Sequence, residues 1–246
     1  MDKLIYTAMT GASHTLQQQA AVSQNLANTN TPGFRAVINS FRAVPIVGDG
    51  LATRAFVVDS SAGADFTEGA MEQTGRVMDI AITGQGWIAV QTPDGQEAYT
   101  RNGSLKLSES GLLQTRSGLN VLGDSGPITL PPDTAVSIAQ DGVISTVPLQ
   151  NQPNSSVVLG RIKLTNPANN TLVRGDDGLF RSQDGKPVEA DAKVAVASGY
   201  LESSNVNAVE AMVNMISLAR QFETQMKLLT TADNDARQAS KILGVN

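Results

Sequence analysis

Glycine-centred turns dominate the middle of this chain, with Asp-Gly at 94–95, 141–142, 177–178 and 184–185 and Ser-Gly at 110–111, 117–118, 125–126 and 198–199. Glycine enters the left-handed backbone of tight hairpins at no steric cost, so turns at this density favour short strands over helices. Between the turns, 80–82, 87–90, 104–107, 135–138 and 160–164 alternate or run apolar as strands do. Three turns share a turn-Gly-apolar-apolar pattern ending at Leu112-Leu113, Val143-Ile144 and Leu179-Phe180. Their glycines are unevenly spaced, which predicts similar hairpins and not a solenoid. The adjacent carboxylates Asp141, Asp176 and Asp177 lack the ligand spacing of an EF-hand loop and read as turn formers. Trp87, the single Trp, reads as core.

Both ends carry a different period. Ile5, Met9, Ala12, Leu16, Gln19, Ser23 and Leu26 recur at spacings of four and three, predicting a helix over 3–28 that Asp2 can cap and Thr31-Pro32-Gly33 ends. At the other end Asn207-Ala208-Val209-Glu210 resembles a capping box, and Gly244 sits where a helix would stop. Met215, Phe222, Leu229, Ala236 and Leu243 between them are spaced by sevens, a coiled-coil seam. Glu223 with Lys227 and Asp233 with Arg237 are i,i+4 pairs in the favourable order. At ~1.5 Å per residue such a helix runs ~54 Å and the first only ~39 Å, so part of the longer apolar edge has no cover within the pair.

The charge distribution sharpens that point. The 246 residues carry a formal net charge of −5, and all of it falls within 51–200, since 1–50 sum to +1 and 201–246 to −1. From Leu4 to Phe34 there is no Asp, Glu, Lys or Arg. A helix half exposed on a monomer carries charges on its wet face; one bearing only Thr, Ser, Gln and Asn suits protein contact on several sides, because burying a hydrogen-bonded amide costs less than burying an ion.

Several function classes lose their chemistry. Zero Cys removes disulfides, thiolate zinc sites and thiol nucleophiles, and a single His, His14, removes any histidine metal cluster. We expect no cofactor and no metal. An acidic chain without a basic run is a poor nucleic-acid partner. No apolar stretch is long enough to span a membrane, and Met1-Asp2-Lys3 does not open a secretory signal. An enzyme would need a carboxylate pair such as Asp141 with Asp177, which no motif supports. A secreted adhesin or binding module remains the alternative from another class.

The run Ser23-Gln24-Asn25-Leu26-Ala27-Asn28-Thr29-Asn30-Thr31-Pro32-Gly33-Phe34-Arg35 resembles the S-x-N-L-A-N-x-x-T-x-G-F-[KR] signature of bacterial flagellar rod and hook proteins. The stretches Asp79-Ile80-Ala81-Ile82-Thr83-Gly84-Gln85-Gly86-Trp87 and Tyr99-Thr100-Arg101-Asn102-Gly103 are similar to that family's central hairpin. Gly199 to Asn207 and Ala219-Arg220-Gln221-Phe222-Glu223 are similar to its ending. The resemblance covers essentially the whole chain.

It implies an α+β fold in which N- and C-terminal helices form a coiled-coil-like pair around a Gly-rich, mostly antiparallel β middle. The expected segments are 1–35 as first helix and signature, 36–78 as an extended β connector, 79–200 as a β-rich outer domain and 201–246 as the heptad helix. The implied function is a structural, non-enzymatic subunit of the basal-body rod, nearest to its proximal part with the distal part as the alternative. It would lie in the periplasm-spanning axis, with itself, other rod proteins and the flagellar export apparatus as partners and no membrane insertion. Subunit contacts would fall on Ile5, Met9, Leu16, Leu26, Met215, Phe222, Met226, Leu229 and Leu243. Asn25, Asn28, Pro32, Gly33 and Phe34 would form the signature turn.

Overall fold

All eight expected turn glycines take positive φ, from +65° at Gly185 to +121° at Gly126. The three similar turns are one hairpin used three times. In each, the first residue donates its N–H to the carbonyl four positions on and accepts from the glycine N–H three positions on: Ser108 with Leu112 and Gly111, Ala139 with Val143 and Gly142, Gly175 with Leu179 and Gly178. Thr92 and Thr115 begin two more of the same kind. Asp141 and Asp177 tighten theirs by accepting from the N–H of Val143 (3.2 Å) and Leu179 (3.1 Å).

The computed structural model describes residues 2–45, 55–132, 134–148 and 156–244, with the side chains of 2–4, 43, 55–62, 242 and 243 outside the described set. It divides into two units, one of 1–28, 37–65 and 206–246, the other of 29–36 and 66–205.

The second unit is built of β-strands, with one short 3-10 turn at Asn169–Thr171. A nine-stranded antiparallel sheet is built around Trp87–Gln91, which pairs with Glu97–Thr100, Asn120–Gly123 and Leu164–Thr165, and a three-stranded sheet runs Thr134–Ile138, Val143–Pro148, Val157–Arg161. Ile88, Val90, Leu105, Leu113, Ile144 and Leu164 belong to one buried cluster, which is why these short strands hold together. Trp87 is buried with its ring 4.6 Å from Phe180 and 6.0 Å from Phe66. Burial holds the Tyr99 phenol above its ordinary range, with its hydroxyl donating to Glu97 and accepting from the Val188 N–H.

One expected strand is split. Residues 160–164 do not form a single strand: Arg161 closes the strand paired with Val143–Pro148, whereas Leu164 pairs with Ile88. Ile162, fully buried, bridges Gly123 between them. The chain changes sheets there, and a period of two is blind to a change of partner.

The first unit holds α1 (Asp2–Ala27), α2 (Ala208–Leu243) and a hairpin of Val37–Pro45 with Ala55–Ala64. The hairpin lies on α1, where His14 meets the edge of the Phe41 ring at 5.5 Å. The cap at Asn207 forms as expected, its Oδ1 accepting from the N–H of Val209 (3.0 Å) and Glu210 (3.3 Å). Asn207→Ala should therefore cost about 1 kcal/mol of helix stability, seen as lost helicity at 222 nm on mild heating while the β unit is unchanged. Gly244 ends α2 at φ −88°, without the left-handed backbone a glycine cap often uses. Asp233 pairs with Arg237 at 2.9 Å; Glu223 and Lys227 form no ion pair among the described residues.

Candidate assembly interface

Three motifs far apart in sequence meet in the β unit. Arg35 from the first signature, Arg101 from the central hairpin and Glu202 from the ending are 1%, 4% and 2% exposed. Glu202 Oε2 accepts from Arg101 Nη1 at 2.9 Å, and Oε1 accepts from the Gly69 N–H at 2.9 Å while lying 2.6 Å from Arg35 Nη1. That last contact is ionic without hydrogen-bond alignment, and none of the Arg35 guanidinium nitrogens makes an aligned bond. Arg101 Nη2 donates to Gly84 O and its guanidinium lies 5.7 Å from the Trp87 ring centre. Burial lowers the Arg101 pKa, and the neighbouring Glu202 carboxylate opposes the shift. Two buried cations share one carboxylate, so the cost of taking three charges out of water offsets much of their mutual attraction.

The backbone around this knot is equally constrained. Gly33 has φ +67°, its N–H donates to Glu202 O at 2.8 Å, and a Cβ there would stand 2.3 Å from the Arg101 carbonyl carbon. A Cβ on Gly103 would stand 1.7 Å from Ile80 O. Phe34 lies under the Arg174 guanidinium at 4.6 Å, and Arg174 also donates to Arg35 O. Asn205 Oδ1 accepts from the Ala36 N–H at 2.7 Å, tying the ending to the first signature. Pro32 is half-buried in the same turn.

In the helical unit Asn25 occupies both backbone groups of Val37, accepting from its N–H at 2.7 Å and donating to its carbonyl at 3.0 Å. Asn28 donates from its side chain to Gln24 O at 2.9 Å.

The two helices pack along a seam of small residues, with Ala12, Thr15, Ala211 and Ala232 buried. Ile5, Leu26, Met215, Phe222 and Leu229 are half-buried; Met9, Leu16 and Met226 are 54%, 50% and 43% exposed; the Leu243 side chain lies outside the described residues. Val209, Met212, Val213 and Ile216 add an exposed apolar stripe at the start of α2, and Tyr6 extends the one on α1. Full burial of a Leu or Met contributes about 1.5–3 kcal/mol, so these stripes are surfaces with burial still to gain.

Site residues beyond those expected from sequence are Arg35, Arg101 and Glu202, each the charge in its own motif, and Gln225. The signal for Gln225 was present: Ala211, Leu218, Gln225, Ala232 and Ala239 form a second series spaced by sevens, interleaved with the seam through Met215.

Family models match along the chain: "Flagella basal body rod protein" at residues 5–35, "Flagellar hook protein FlgE/F/G D1 domain" at 81–146 and "Flagellar basal body rod FlgEFG protein C-terminal" at 197–242. These three models bracket both helices and the β unit, and all three describe parts of the flagellar axis. Among curated relatives, the flagellar basal-body rod proteins FlgF of Escherichia coli (strain K12) and of Salmonella typhimurium are each 46% identical over the full length of both chains. A FlgG rod protein of Buchnera aphidicola subsp. Acyrthosiphon pisum is 34% identical, covering 90% of this chain and 92% of its own. The chain belongs to the FlgF family of flagellar basal-body rod proteins and is a structural subunit of that rod.

Proposed function

We propose that the chain builds the rod through its terminal helices and that its work there is mechanical, not catalytic. The segments 1–35 and 201–246 carry the subunit contacts, 36–78 connects, and 79–200 forms the outer body. The observation that carries this reading is the pairing of an α1 that bears no charged side chain beyond Lys3 with exposed apolar stripes on both helices, surfaces that further protein would complete. Copies related by a rotation and a rise make head-to-tail contacts that continue instead of closing, which suits a shaft that transmits torque. Ile5, Met9, Leu16 and Leu26 on α1 and Met215, Phe222, Met226, Leu229 and Leu243 on α2 are the proposed contact set, with Asn25, Asn28, Pro32, Gly33 and Phe34 shaping the turn between helix and body. Partners are other copies, neighbouring rod proteins and, before assembly, the flagellar export apparatus; no helix among the described residues is long and apolar enough to cross a membrane. The site of action is the rod within the periplasm.

The test is co-purification. An epitope-tagged full chain in a flagellated host should be retained in detergent-extracted basal bodies and be located on the rod by immunogold. A tag found only in the soluble fraction, in cells that assemble normal rods, contradicts the reading.

A further inference from the structure

Residues 29–36 belong to the β unit without joining its sheets: the segment is neither helix nor strand, and 1–28 before it and 37–65 after it belong to the other unit. Loop contacts hold it instead. The Gly33 N–H donates to Glu202 O at 2.8 Å, and Phe34 O accepts from the Asn205 N–H at 3.3 Å. Arg35 O accepts from Arg174 Nη1 at 2.9 Å, and the Ala36 N–H donates to Asn205 Oδ1 at 2.7 Å. The backbone repeats the same carbonyl at every residue and the same N–H at all but proline, so these bonds alone do not fix which residue stands where. The Arg35 side chain does. It is 1% exposed, and a buried charge is tolerated only beside a counter-charge. Glu202 supplies one that is already formed. Without Arg35 the carboxylate still accepts from Arg101 Nη1 and the Gly69 N–H, and Arg101 still donates to Gly84 O, leaving one cation against one anion. Arg35 adds a second cation, 2.6 Å from Glu202 Oε1 without an aligned hydrogen bond. That addition brings the β unit little stability. Sliding the segment by one residue, however, would place Phe34 or Ala36 against the carboxylate and carry the guanidinium away from it.

We propose that Arg35 is a specificity-determining residue whose charge seats 29–36 at a single register on the β unit, with the Arg101–Glu202 pair as its receptor, and that this seating is required for entry into the rod. The inference rests on the assembly role proposed above.

Arg35→Met removes the charge and keeps an unbranched apolar stem, whereas Arg35→Lys keeps the charge and loses the planar fork. In the isolated full chain, urea unfolding followed by Trp87 emission should give Arg35→Met a midpoint within about 0.3 M of the parent's, because the receptor pair is complete without it. In a null strain, epitope-tagged Arg35→Met, compared with the parent at equal cellular amounts, should be missing from purified basal bodies and should not restore swimming. Arg35→Lys should be retained, since the contact is ionic and not an aligned bond. A midpoint lowered beyond that margin overturns the proposal, because Arg35 would then be a structural member of the β unit. Retention of Arg35→Met also overturns it, and so does loss of Arg35→Lys, which would make side-chain shape and not charge the requirement. The parent run alongside tests the assembly reading by itself. Its absence from basal bodies sinks that reading, whereas parent and Arg35→Met retained alike sink only the registering role.

Discussion

Glu202→Ala is expected to destabilise the β unit by about 3–5 kcal/mol, because it strands two buried guanidinium groups and the Gly69 N–H together. Trp87 reports the transition without labelling, since it is the single Trp, buried, and beneath Arg101. Urea unfolding followed by its emission should show a lower midpoint at an unchanged slope. The mechanism makes a second demand. If the loss comes from uncompensated charge and not from lost volume, replacing all three residues by apolar ones (Arg35→Met, Arg101→Met, Glu202→Leu) restores most of the stability lost in the single variant. A triple variant as unstable as the single one would place the cost in packing instead.

Gly33→Val should abolish swimming and rod assembly. The added side chain meets two penalties: a left-handed backbone, costing of the order of 1–3 kcal/mol, and a Cβ driven into the Arg101 carbonyl, which the protein can relieve only by moving the turn or the hairpin. Gly75→Ala separates the two effects. Gly75 has a similar φ of +72° but open space where its Cβ would go, so that variant carries the backbone penalty alone and should swim nearly as the parent does. Complementation of a null strain on soft agar measures both. Equal swimming by the two variants would mean that the close approach of Gly33 to Arg101 is unimportant to the assembled rod.

Turn chemistry made most of the architecture legible in advance. Asp-Gly and Ser-Gly pairs declare a hairpin locally, so all eight glycines adopt the backbone expected of them, and the capping amide of Asn207 is an equally local signal. Features set by distant partners are not legible in the sequence. The break at Ile162 arises because its neighbours join different sheets, which composition and period do not encode. The seam through Met215, Phe222 and Leu229 was visible because it is apolar. Its companion through Gln225 is harder to read, because a glutamine among alanines resembles a wet face and only packing shows that the amide lies against Gly11. Spacing alone places Met9, Ala12 and Leu16 on one stripe of α1 without saying which of them meets α2; Ala12 is buried with Thr15, while Met9 and Leu16, expected as subunit contacts, are exposed. In the β unit, Arg35, Arg101 and Glu202 were each readable as parts of separate motifs; that they form one buried knot follows from the fold alone.

The central claim is that the exposed stripes of both helices are finished by neighbouring subunits, and a cysteine-free chain permits a direct measurement of it. Met9→Cys and Val213→Cys, at positions 54% and 59% exposed, should label rapidly with a maleimide in the isolated full chain and at least about tenfold more slowly in purified basal bodies carrying the same variant. Equal labelling rates in the two samples would contradict the account, because the stripes would then remain bare in the finished rod.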